Sequence, residues 1–79
     1  MSICKYIVMN EKEILITIGN NIRAERNRIR LSQEDLAEKV SLSEKHISKI
    51  ERGKSNAKIT TIISIMKALD IPFEALYKL

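Results

Sequence analysis

Two short helical patterns lie four residues apart in the middle of the chain, and this spacing restricts the folds that the chain can adopt. Residues 33–39 and 44–52 each place apolar side chains along one side of a helix, and only VSLS separates them. A connection this short forces the two helices to pack across each other at close range. Ala37 supplies the small side chain that such a crossing needs.

Capping residues predict where both helices begin and end. Ser32 precedes the first helix, and Asp35 follows it at the distance of a capping box, although aspartate is a shorter partner than the usual glutamate or glutamine. Ser43 is a good N-cap for the second helix. Gly53 is expected to end that helix, because glycine readily adopts a positive φ.

The rest of the chain is also predicted to be mainly helical. Isoleucines recur every four residues in a helix predicted over about 13–29, and apolar residues at helical spacing predict another over 59–69. Pro72 opens a short last helix, PFEALYKL. The β-prone N-terminal stretch ICKYIV is either a short strand or arm, or a disordered terminus. These elements predict an all-α fold of five helices.

The chain has 79 residues, which is close to the lower size at which a single core is stable alone. Aromatic residues make up only 4%, so the core must be mainly aliphatic. We therefore expect added stability from a partner surface, most simply a second copy of the chain. Cys4 is the only cysteine, which favours a reducing cytoplasm. The apolar start of the chain is too short to span a membrane.

The second helix of the close pair has two chemically different sides. At about 100° per residue, Ile47 and Ile50 share one side, and the opposite side carries Glu44, Lys45, Ser48, Lys49 and Arg52. Residues 21–54 contain nine Lys and Arg against six Asp and Glu, so this segment carries +3 of the net charge of +4. Two helices joined by so short a turn, with a polar face on the second, form a helix-turn-helix, whose second helix enters the DNA major groove.

Residues 18–76 resemble the phage-repressor-like helix-turn-helix family of the Xre/Cro type. The resemblance is carried by Ile22-Arg23 with Arg26, followed in order by LSQEDLA, ISKIERGK and IMKALDI. It implies a lambda-repressor-like, five-helix DNA-binding domain at residues 13–79 that ends in dimerisation helices, with residues 1–12 as an N-terminal arm.

The resemblance also implies roles for individual residues. Base contacts are expected from Glu44, Lys45, Ser48 and Lys49. Phosphate contacts are expected from Gln33, Ser43, His46, Arg52 and Lys54. Gln33 would also brace the second helix of the motif, and Arg26 and Glu51 match a structural ion pair. Glu44 is either a selective contact with cytosine or a cap for the helix dipole.

Several positions depart from the family pattern. Arg30 and Ser41 stand where the family often has glycine, so both are expected to adopt a positive φ at a cost on the order of 1 kcal/mol. Lys58 replaces a common serine or threonine cap, and Ala57 replaces a common proline. These departures concern turn angles and local stability.

The sequence carries no signal for an enzyme, a cofactor or a metal site. His46 is the only histidine and has no accompanying metal ligands. Ser32 and Ser43 have no base and acid at useful spacing, and capping accounts for both. The two glycines form no phosphate-binding loop.

The last two helices carry more apolar residues than so small a core can bury. A dimer interface is therefore predicted from Ile59, Ile63, Phe73, Leu76, Tyr77 and Leu79. A two-fold dimer would bind a palindromic operator in double-stranded DNA, with half-sites one helical turn apart.

The predicted function is that of a homodimeric, sequence-specific transcription regulator whose activity depends on its own concentration. Controllers of restriction–modification systems and phage repressors both fit, RNA polymerase is a further candidate partner, and the direction of regulation is open. The alternative is a protein-interaction module, such as an antitoxin or an anti-repressor binder.

Overall fold

The computed structural model describes residues 9–77, with the backbone but not the side chain of Tyr77. In that range the chain forms α1 (Glu11–Arg28), α2 (Gln33–Lys39), α3 (Glu44–Glu51), α4 (Ile59–Leu69) and a 3₁₀ helix, η1 (Phe73–Tyr77). The all-α prediction is confirmed, although the fifth helix is of the 3₁₀ type. No helix among these is long and apolar enough to cross a membrane. The β-prone stretch at 3–8 lies outside the described residues.

The predicted bounds of α2 and α4 agree with the structure, whereas α1 and α3 differ by one or two residues. Helix α1 begins at Glu11, because the side chain of Asn10 accepts a hydrogen bond of 2.8 Å from the backbone N–H of Glu13. Helix α3 ends one residue earlier than predicted, since Arg52 is its C-cap. The side chain of Asn10 therefore determines a boundary that hydrophobic periodicity alone does not locate.

Serine caps fix the start of both central helices. The Asp35 N–H donates to Ser32 Oγ at 2.9 Å, and the Ser32 N–H donates to Asp35 Oδ2 at 3.3 Å, which completes the predicted capping box. At the next helix, the His46 N–H donates to Ser43 Oγ at 3.0 Å. Lys58, at the N-cap of α4, makes no side-chain capping hydrogen bond.

The core is aliphatic and receives side chains from all five elements. Its buried members are Ile22, Leu36, Ala37, Ile47, Ile50, Ile62, Ile65, Leu69 and Leu76. The prediction that Leu76 belongs to a dimer interface is wrong, because this side chain is fully buried within the chain's own core. Its backbone carbonyl also accepts a hydrogen bond of 2.8 Å from Asn21 Nδ2, which ties η1 to α1.

Helix α1 crosses the end of α3 at unusually close range. A Cβ atom added to Gly19 would lie 2.4 Å from the carbonyl oxygen of Ile50, so only glycine permits this approach. Just beyond α3, Gly53 has a φ of 71°, and a Cβ there would lie 2.7 Å from the side chain of Ile16. The two glycines together allow the end of α3 to rest directly on α1.

Within residues 9–77, three residues other than glycine have a positive φ. Arg30 and Ser41 both have a φ of 59°, as the departures from the family pattern predict. Asp70 has a φ of 55° and is the C-cap of α4, which the sequence did not reveal. The left-handed region is unfavourable for residues with a Cβ, so these positions reduce the stability of the fold.

Replacing Ser41 by glycine is expected to raise the free energy of unfolding by about 1 kcal/mol, because glycine adopts this φ without strain. The matched control is Ser64→Gly, which makes the same chemical change inside α4. That change should lower the free energy of unfolding by about 0.5–1 kcal/mol. Chemical denaturation of both variants measures the difference, and equal destabilisation by the two would contradict the strain at Ser41.

Candidate nucleic-acid interface

Helix α3 is held by one side and presents the other to solvent. Ile47 and Ile50 are buried in the core, as the sequence predicts. The polar face of α3 consists of Ser48, which is half-buried, and of four exposed residues, Glu44, Lys45, Lys49 and Arg52. Because the opposite side of α3 is buried and the connection to α2 is short, this polar face has a fixed orientation relative to the rest of the chain.

The polar face of α3 is predominantly cationic. Lys45, Lys49 and Arg52 outnumber Glu44, and Lys54 adds a further exposed cation just past the helix. None of these four cations forms a salt bridge with another residue of the range 9–77. Exposed cations without an internal counter-charge are suited to a polyanion such as the DNA backbone.

The residues predicted to contact phosphates at the starts of α2 and α3 differ in their exposure and in their hydrogen bonds. Ser43 is exposed, and its Oγ already accepts the capping hydrogen bond from the His46 N–H. The side chain of His46 is half-buried at the first turn of α3. Gln33, the first residue of α2, is half-buried, and its Nε2 donates to Glu51 Oε1 at 3.0 Å.

A buried ion pair joins α1 to the end of α3. Arg26 and Glu51 form a bidentate pair, with Nε at 2.7 Å from Oε2 and Nη2 at 3.0 Å from Oε1. Glu51 has no exposed surface and Arg26 is 9% exposed. Arg26 Nη1 also donates to the carbonyl oxygen of Leu31 at 2.7 Å, so the same guanidinium holds the α1–α2 connection.

The resemblance paired Arg26 with Glu51 and implied that Gln33 braces α3, but it did not predict that two more side chains reach the same carboxylate. One is Gln33, and the other is Arg23, whose Nε lies 3.7 Å from Glu51 Oε1. Their convergence depends on how α1, α2 and α3 cross. For Arg23 the only sequence signal was indirect: it lies three residues, or nearly one helical turn, before Arg26.

The residues predicted for a dimer interface fall into three groups, of which the first is Leu76, buried in the core as described above. Ile59 is 59% exposed, Phe73 is 40% exposed and Ile63 is 39% exposed, so all three are accessible to a partner. The side chain of Tyr77 and all of Leu79 lie outside the described part of the chain. Beside Ile59, an apolar groove between α1 and α4 is lined by Ile14, Leu15, Ile18 and Ile62, among others.

Comparison with known proteins shows the family to which the chain belongs. The helix-turn-helix family model matches residues 22–76. The chain is 42% identical over 62 residues to control protein C.SmaI of Serratia marcescens. This match covers 78% of this chain and 70% of C.SmaI. It is 36% identical over 61 residues to the immunity repressor protein of Bacillus phage phi105. That match covers 77% of this chain but only 42% of the repressor, so the chain spans less than half of the repressor's length.

A solved structure shares the arrangement of helices. The restriction-modification controller protein C.AhdI from Aeromonas hydrophila aligns with a TM-score of 0.75 and 34% sequence identity. The alignment covers 78% of this chain and 94% of C.AhdI. The similarity therefore extends over almost all of that controller protein.

Replacing Arg26 by alanine is expected to lower the free energy of unfolding by about 3–5 kcal/mol, because Glu51 would remain buried without its bidentate partner. The control is Arg28→Ala, which removes the same side chain from an exposed pair with Glu25 at 2.8 Å. That change should lower the free energy of unfolding by less than about 1 kcal/mol. Thermal unfolding followed by circular dichroism measures both, and an unchanged melting temperature for Arg26→Ala would contradict the structural role.

Proposed function

Because this chain belongs to the helix-turn-helix family, we propose that it is a sequence-specific, DNA-binding transcription regulator that acts as a homodimer. The observation that carries the proposal is the polar face of α3, which presents three exposed cations from a helix whose opposite side is buried. Helix α3 is then the recognition helix, and it enters the major groove. Helix α2 lies across the DNA backbone.

The residue types on the polar face of α3 suit the edges of base pairs. Lys45 and Lys49 can donate to O6 and N7 of guanine, and Glu44 can accept from N4 of cytosine. Ser48 can donate or accept. These four residues would set the sequence preference.

The residues around the polar face suit the phosphates of the backbone. This proposed set comprises Gln33, Ser43, His46, Arg52 and Lys54. All of them have N–H or O–H groups that can donate to a phosphate oxygen. Such contacts fix the position and register of the protein on the duplex without reading its sequence.

Exposed isoleucines support the homodimer. Ile59, Ile63 and Phe73 are accessible large apolar side chains on a domain with a very small core. Covering them with a second copy would remove apolar surface from water at about 25 cal/mol per Å². A two-fold dimer places two α3 helices on one side of the DNA, which requires a palindromic operator.

The similarity to C.SmaI and C.AhdI supports a role as a controller of gene expression. Operator occupancy by a dimer rises steeply with protein concentration, because dimerisation and DNA binding are coupled. A regulator of this kind can control its own gene, and RNA polymerase is then the partner through which it acts. Transcription measured from the selected operator with and without the protein distinguishes activation from repression.

The first experiment selects binding sites from a random duplex pool and then measures the affinity of the selected site. Lys49→Ala is expected to weaken binding to that site by about 1–3 kcal/mol, because a base contact is lost, and to affect an unrelated duplex much less. The control, Lys67→Ala, removes an exposed lysine from α4. Weak, sequence-independent binding by the wild type would instead favour a protein-interaction module.

The dimer is tested by the double variant Ile59→Gln/Ile63→Gln, followed by sedimentation equilibrium. Both side chains are exposed in one copy, so the fold should be retained while the dimer dissociates at least about tenfold more readily. Ile29→Gln serves as the control, because Ile29 is 38% exposed but lies outside the proposed interface. An unchanged dissociation constant in the double variant would place the interface elsewhere.

A further inference from the structure

Glu51 gathers side chains from two other helices at one carboxylate oxygen. Its Oε1 accepts from Arg26 Nη2 at 3.0 Å and from Gln33 Nε2 at 3.0 Å, and Arg23 Nε lies 3.7 Å away. Arg26 is buried, whereas Arg23 is exposed. Arg23 and Gln33 therefore lie next to each other, since both approach the same oxygen.

Arg23 and Gln33 each have hydrogen-bond donors that Glu51 does not use. Because a carboxylate can only accept hydrogen bonds, the amide nitrogen of Gln33 must face Glu51. One N–H of this amide makes that hydrogen bond, and the second N–H remains available to another acceptor. Within residues 9–77, the guanidinium of Arg23 donates no hydrogen bond, because its contact with Glu51 is a long ion pair through Nε. The Arg23 side chain is 48% exposed, which leaves its terminal N–H groups open to a ligand.

The charge of this cluster also favours an anion. Arg26 and Glu51 neutralise each other in the interior, and Arg23 then leaves one positive charge at the surface. The outer side of the cluster thus offers a cation beside a neutral amide donor. A ligand that accepts several hydrogen bonds and carries one negative charge matches this arrangement, as a phosphate diester does.

We propose that Arg23 and Gln33 together bind one phosphate of the DNA backbone, with Arg23 as a binding residue outside the set derived above. This inference rests on the proposed function. Because both side chains are held by Glu51, the last residue of α3, the phosphate would be bound at a fixed position relative to the recognition helix. Arg23 would thereby add a contact from α1 to those made by α2 and α3.

The proposal is tested by measuring the affinity of Arg23→Ala, Gln33→Ala and the double variant for the selected operator over a range of salt concentrations. Each single variant should bind about tenfold more weakly, because a hydrogen bond to a charged group is lost. The double variant should lose affinity by a factor much smaller than the product of the two single-variant factors, because both residues bind the same phosphate. Arg23→Ala should also reduce the salt slope by about 0.9.

Arg28→Ala is the matched control, because it removes the same charge from the same helix at an exposed site paired with Glu25. Its effect on affinity should be about twofold or less, because solvent screens a charge without a direct contact. Melting temperatures of all variants check that the fold is intact. An Arg23→Ala variant that binds like Arg28→Ala would overturn the phosphate site.

A scan of the operator with single neutral methylphosphonates gives the sharpest readout. On an operator neutralised at one particular phosphate, neither Arg23→Ala nor Gln33→Ala should weaken binding any further. Two different positions, or none, would overturn the shared site while leaving the proposed function intact. Failure of the wild-type protein to prefer any duplex would overturn the proposed function, and the phosphate site with it.

Discussion

The position of α3 depends on the ion pair between Arg26 and Glu51. A carboxylate with no exposed surface is stable only if it is paired and hydrogen-bonded, so the end of α3 must lie where Glu51 meets the guanidinium. The bidentate geometry allows little freedom, because Arg26 Nε–H must point at Oε2 while Nη2–H points at Oε1. Gly19 makes this placement possible, since a side chain there would hold α1 away from α3.

Hydrophobic burial and the ion pair have different consequences for α3. Burial of Ile47 and Ile50 determines which side of the helix faces the core, but apolar contact is not directional and tolerates small shifts along the axis. The ion pair is directional and resists such shifts. Together they fix both the rotation and the position of the helix, as the proposed recognition of bases by α3 would require.

Local signals in the sequence were sufficient for most of the fold, and tertiary contacts account for what they missed. The bounds of α2 were predictable because Ser32 and Asp35 cap the helix through neighbours in the chain. The burial of Leu76 was not, because the prediction rested on how many apolar side chains so small a core can bury, and that number does not tell which of them the core takes up. The meeting of Arg23 and Gln33 at Glu51 depends on the crossing of three helices, which no local pattern encodes.

The two proposed kinds of DNA contact differ in how closely they are tied to the fold. Lys45 and Lys49 project from α3 without salt bridges to other residues in the described part of the chain, so substitutions there would change base preference with little effect on stability. Gln33 and Arg23 share a carboxylate with the ion pair that positions α3. Phosphate binding at these two residues would therefore be coupled to the scaffold, and sequence preference could vary at α3 while the docking geometry stayed the same.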